Sequence, residues 1–107
     1  MRPKVQFTPS AEALLQRILV DHRELVLLID DTSCCSNSGI MLREKMPGWP
    51  VSLVAEQGSL KVCVNPVLER SLKASRMLID ALEFSDDSLS LETNYGRRLI
   101  VSVEPGP

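Results

Sequence analysis

The sequence predicts an α+β fold, mainly β, with two helices packed on small sheets. Three observations lead there. Short runs rich in branched aliphatic residues alternate with clusters of Gly, Pro, Asn, Asp and Ser, the pattern of strands and turns. Thr8-Pro9 and Asn65-Pro66 each pair a capping side chain with a proline at the first helical position. The most apolar run, Leu25-Val26-Leu27-Leu28-Ile29, empties straight into small polar residues and reads as a buried strand feeding a loop.

Taken in order, Val5-Gln6-Phe7 alternates as a short strand or extended lead-in, and Thr8 caps a helix carrying Glu12 in its first turn. Ala11, Leu14, Leu15, Ile18 and Leu19 recur at helical spacing and form one apolar stripe that ends near Asp21-His22-Arg23. The strand from Leu25 follows at once. Ile40-Met41-Leu42 reads as the return strand of a hairpin, and Pro47, Gly48 and Pro50 around Trp49 mark a loop. Val51-Ser52-Leu53-Val54 is strand-like, with a turn at Glu56-Gln57-Gly58. In Ser59-Leu60-Lys61-Val62-Cys63-Val64 the residues Leu60, Val62 and Val64 share one face, and Cys63 lies on the other with Ser59 and Lys61. A second helix is expected from Pro66 to about Lys73, burying Val67, Leu68 and Leu72. Residues 77–84, 89–93 and 99–103 then read as three strands of an antiparallel meander, with turns at Ser85-Asp86-Asp87 and Asn94-Tyr95-Gly96.

A length of 107 residues suits a single domain spanning the chain, with residues 1–4 and 104–107 as tails. A formal net charge of −2 gives no positive field to draw nucleic acid or an anionic membrane, so neither is an expected partner. Met1-Arg2-Pro3-Lys4 has no apolar stretch behind it and does not read as a secretory signal. No apolar run reaches the ~18–20 residues of a membrane span. Three cysteines are too few for a disulfide-stapled scaffold, and the cytoplasm, where thiols stay reduced, is the expected compartment.

Reactive side chains concentrate in Asp30-Asp31-Thr32-Ser33-Cys34-Cys35-Ser36-Asn37-Ser38-Gly39, making Cys34 and Cys35 the candidate site. Cys63 is either a member of a second buried layer or a residue facing that loop. His22, the one histidine, falls at a helix end, where a dipole-stabilised surface role is expected. Asp30-Asp31 and Asp86-Asp87 read as solvated turn residues, and Met41, Met46 and Trp49 as an apolar patch open to a partner. One histidine permits no Ser-His-Asp arrangement, and the chain has neither a glycine-rich phosphate loop nor a nucleotide fingerprint. No enzymatic activity is therefore assigned.

The order of elements resembles the HesB/IscA-like family of A-type iron–sulfur carriers. The likeness rests on Val5-Gln6-Phe7-Thr8-Pro9-Ser10-Ala11, a helix, a buried strand and a cysteine in a Ser/Gly loop, and then on Gly58-Ser59-Leu60-Lys61-Val62-Cys63-Val64-Asn65 before a short helix. It covers roughly residues 5–103. It implies a sandwich of small mixed sheets with two flanking helices. It also implies an iron–sulfur cluster or iron, held by one loop cysteine and a C-terminal Cys-x-Cys, for delivery to iron–sulfur apoproteins. Cys34 or Cys35 matches the first ligand; no cysteine follows Cys63, so the second pair has no counterpart. The adjacent cysteines look closer to an uncharacterised HesB-like branch with a Cys-Cys motif. They are also similar to a family of small bacterial proteins of unknown function with a Gly-Cys-Cys loop after the same strand.

Three readings of the cysteines stand side by side. A metal or cluster site needs about four thiolates, so Cys34 and Cys35, with Cys63 as a further metal ligand, point to a homodimer sharing the site. Adjacent cysteines can instead close a strained, easily reduced vicinal disulfide, although Asp30 and Asp31 beside them work against a thiolate. In the third reading the cysteines are small packing residues of a structural or interaction module that keeps the fold without the site.

Overall fold

Thr8 starts the first helix and also ties it to a strand far away in sequence. The computed structural model describes residues 4–30, 40–71, 76–83 and 90–104. Strand β1 (Lys4–Phe7) leads into helix α1 (Pro9–Asp21), whose Ala11 N–H donates to the Thr8 hydroxyl oxygen at 3.2 Å. The same hydroxyl donates to Asp80 Oδ1 at 2.6 Å, and Thr8 N–H donates to the Ile79 carbonyl at 2.9 Å. The helix start is therefore clamped to strand β6 (Arg76–Leu82), along which β1 runs in parallel, with Phe7 opposite Ile79.

The remaining strands are β2 (Leu25–Ile29), β3 (Ile40–Arg43), β4 (Ser52–Gln57), β5 (Leu60–Val64) and β7 (Arg98–Glu104). One sheet has the order β1-β6-β7, the other β3-β2-β5-β4. Both are mixed: β2 runs parallel to β5, while β2–β3, β4–β5 and β6–β7 are antiparallel. With helix α2 (Pro66–Ser71), the architecture is α+β and mainly β, as the sequence predicts.

The stripe of α1, Ala11, Leu14, Leu15 and Ile18, packs into one core with the inner faces of both sheets, including Leu25, Leu27, Ile29, Val62, Met77, Ile79, Leu99 and Val101. All five residues of β2 are buried, because its other face carries a second, smaller cluster of Val26, Leu28 and Cys63 flanked by Val51 and Leu53. A parallel strand covered on both faces needs such a continuous apolar run. The β4–β5 turn consists of Gly58 and Ser59, with Gly58 at φ 58°, so β4 reaches Gln57, further than the expected turn allowed.

Two expectations are corrected. Residues 91–95 form a 3-10 helix (Leu91–Tyr95), closed by Gly96 at φ 71°, so the described part of the chain's end holds two antiparallel strands and no three-stranded meander. The sequence reads residues 89–93 as a strand of that meander, and polar residues alternating along a strand ordinarily face water. Ser90 and Glu92 are instead the buried ones, held there by hydrogen bonds that only the tertiary fold supplies. In α2, Leu68 packs against the core, whereas Val67 is 73% exposed. Asn65 caps this helix by accepting from Val67 N–H at 2.9 Å, turning Val67 outward in the first turn. Leu72, Leu89 and the turn at Ser85-Asp86-Asp87 lie outside the described residues.

Thr8→Ala removes the cap and the link to Asp80 together. It is expected to lower stability by about 1–2 kcal/mol in urea denaturation, without changing the helix content of the folded state.

Candidate functional site: the foot of the cysteine segment

Cys34 and Cys35 lie outside the described residues, as does Asp31, but the structure fixes where their segment leaves and rejoins the fold. Ile29 and Ile40, the strand residues on either side of it, are cross-strand partners in the β2–β3 ladder. Ile29 also pairs with Val64 of β5, and its carbonyl accepts from Asn65 N–H at 3.2 Å. The segment therefore stands on a closed junction, where the carboxyl ends of the parallel strands β2 and β5 meet the start of β3. Asp30, at its first position, is exposed.

Cys63 sits one rung inside that junction, opposite Leu28 on β2 and Leu53 on β4. Its side chain has no exposed surface and packs in the smaller cluster with Val26 and Leu28. This is the second buried layer that strand alternation offered as one of its two placements. Burial pushes the thiol's pKa up, with Lys61 pulling weakly the other way, so the proton stays on sulfur.

A second feature of the junction was not legible as a site. Arg98, at the start of β7, is 2% exposed, and Glu92, from the 3-10 helix, is fully buried. Arg98 Nη1 lies 2.9 Å from Glu92 Oε2, which also accepts from Leu99 N–H at 2.9 Å. The other carboxylate oxygen accepts from the Ser90 hydroxyl. Arg98 Nη2 donates to the Ile40 carbonyl at 3.3 Å, and Leu42 N–H donates to Ser90 Oγ at 2.7 Å. Ile40 and Leu42 belong to β3, an end strand of its sheet, so these side chains take up the backbone groups that another strand would otherwise engage. The network joins the two sheets at the return end of the cysteine segment. The sequence carries no local signal that would bury that pair.

The other candidates are scattered. His22 follows the last turn of α1, with Nδ1 2.8 Å from Glu44 Oε1 on the exposed loop after β3. Met46 and Trp49 are about half exposed, and the Arg43 guanidinium stacks 5.6 Å from the Trp49 ring centre. Met41, on β3, is partly buried. Among the described residues, no group of three or more His, Cys, Asp or Glu is placed to hold a metal ion. No helix among them is long and apolar enough to cross a membrane.

No protein-family model matches the chain, and no curated protein or solved structure matches it significantly.

Arg98→Met leaves the Glu92 carboxylate buried without its cation and is expected to cost about 3–5 kcal/mol in urea denaturation. Adding Glu92→Gln is expected to recover part of that loss. For Cys63 the sign follows from its raised pKa: the folded state holds the proton more tightly than the unfolded chain. Its stabilising contribution is whole below 9.0, the thiol's ordinary value, and falls as pH rises from there towards the folded-state pKa. Above 9.0, stability should fall more steeply with pH in the wild type than in Cys63→Val, by up to about 1.4 kcal/mol per pH unit. The fall that remains in the variant includes Tyr95, whose raised pKa acts with the same sign.

Proposed function

We propose that the chain binds a metal or an iron–sulfur cluster in an assembly or carrier role, with Cys34 and Cys35 as ligands. The observation that supports this is the junction beneath them, where both ends of the cysteine segment are tied to β2, β3 and β5. A rigid base of this kind is what a ligand-bearing loop requires. A cluster takes about four thiolates. Cys63 would have to give up its proton inside an apolar cluster to serve as one, which burial opposes. Two thiols per chain remain, so a cluster would be shared between two copies, and the recipients would be iron–sulfur apoproteins. Reduced thiols at such a site suit the cytoplasm.

The second reading, a structural or interaction module of the same fold, is favoured by one observation. Cys63, the cysteine whose surroundings are described, behaves as a small apolar packing residue.

Anaerobic purification with a visible spectrum and metal analysis separates the two, applied to the wild type and to Cys34→Ser/Cys35→Ser. The carrier reading expects brown wild-type protein containing iron and sulfide, and a colourless double variant. Metal-free wild-type protein that also fails reconstitution with iron and sulfide would overturn it. Thiol counts under oxidising and reducing conditions then test whether Cys34 and Cys35 form a vicinal disulfide.

A further inference from the structure

We propose that two copies of this chain pair antiparallel through the free edge of β1, about a two-fold axis at Gln6. β1 is an end strand, hydrogen-bonded on one side to β6 and paired on the other side with no strand among the described residues. The bond from Thr8 N–H to the Ile79 carbonyl fixes which groups face which way. Backbone groups alternate sides along a strand. With Thr8 facing β6, Gln6 and Lys4 face it too, and the N–H and C=O of Val5 and Phe7 point away. A groove of about 490 Å³ lies against β1, lined by Phe7, Pro9, Glu12 and Gln57 and, across the strand on β6, by Leu78.

The spacing of the two outward residues makes the edge complementary to itself. An axis at Gln6 sets Val5 opposite Phe7 of the partner subunit, and Phe7 opposite Val5 of the partner subunit. Each of these is a hydrogen-bonded pair exchanging both backbone bonds. The side chains agree with this register. The partly buried Val5 and Phe7 make apolar cross-strand pairs, and the exposed, uncharged Gln6 meets its own copy. A lysine blunts many free edges by repelling its own kind. Here Lys4 of the partner subunit falls opposite Thr8, whose carbonyl accepts from Glu12 N–H, so the register brings it to the turn that carries an acidic residue and not to another lysine. The result is one continuous sheet with three strands from each copy.

The pairing does not use the cysteines. Gln57, beside β1, pairs with Leu60 and through it with Leu25, at the end of its sheet opposite Ile29 and Val64. The interface and the proposed metal site therefore succeed or fail separately.

Cross-linking tests the register. In a Cys34→Ser/Cys35→Ser background, Gln6→Cys places two thiols across a non-hydrogen-bonded pair, within disulfide reach. Mild oxidation should give a covalent dimer with this variant and not with Lys4→Cys. In the same background without a new thiol, light scattering should show a reversible dimer. Gln6→Lys, a change at an exposed side chain, should weaken it about fivefold by setting like charges opposite each other. Amide exchange adds a backbone signature: Val5 and Phe7 should gain protection as concentration rises, while Gln6, bonded to β6, stays protected throughout. A protein that remains monomeric, or that cross-links equally at positions 4 and 6, overturns the proposal.

Discussion

The buried contact between Arg98 and Glu92 is the constraint that fixes how β7 of one sheet meets β3 of the other. A guanidinium and a carboxylate taken out of water lose several kcal/mol of hydration each, and a single contact between them does not reliably return it. This pair returns it through breadth. Glu92 also accepts from Leu99 N–H and the Ser90 hydroxyl, and Arg98 donates to the Ile40 carbonyl. Together these bonds connect β7, the 3-10 helix with its cap residue Ser90, and β3, so the network holds the three in one arrangement. An apolar contact of the same size would be less particular about register, since burial of apolar area has no direction.

That arrangement bears on the cysteine segment through β3. The strand is short and stands at the end of its sheet, with one ladder partner, β2. The side chains of Ser90 and Arg98 supply bonds on its other side at the return end of the segment, as the Asn65 N–H does at Ile29 at the outgoing end. The free edge of β1 is the contrast. There no side chain among the described residues takes up the outward groups of Val5 and Phe7, and a groove lies against the strand. The edge of β3 is closed from within the chain; that of β1 is open among the described residues.

The local elements were legible wherever a residue's own chemistry fixed its backbone. Thr8-Pro9 and Asn65-Pro66 start helices because a side-chain acceptor and a proline satisfy a helix start without outside help. The stripe from Ala11 to Ile18 faces the core as its spacing requires. Alternation along β5 correctly separated Cys63 from Leu60, Val62 and Val64. The same rule failed at Ser90 and Glu92. Alternation assigns polar residues to solvent, and these two are buried by partners that come from β7 and β3. Of the candidate site, sequence reached the reactive pair Cys34 and Cys35 and the choice of positions for Cys63. It did not reach the buried network at their base.

The amino-acid sequence by itself determined the kind and extent of most elements, the class of the fold and the two faces of β5, because those depend on capping, proline geometry and periodicity within a few residues. The tertiary structure alone decided that β1 runs parallel to β6 and β2 parallel to β5, that Ile29 and Ile40 close the foot of the cysteine segment, and that Glu92 and Arg98 share the interior. Each of these is a pairing between distant residues. A backbone edge accepts many partners, and a charge is buried only where a counter-charge and hydrogen bonds converge on it, which no local stretch of chain can specify.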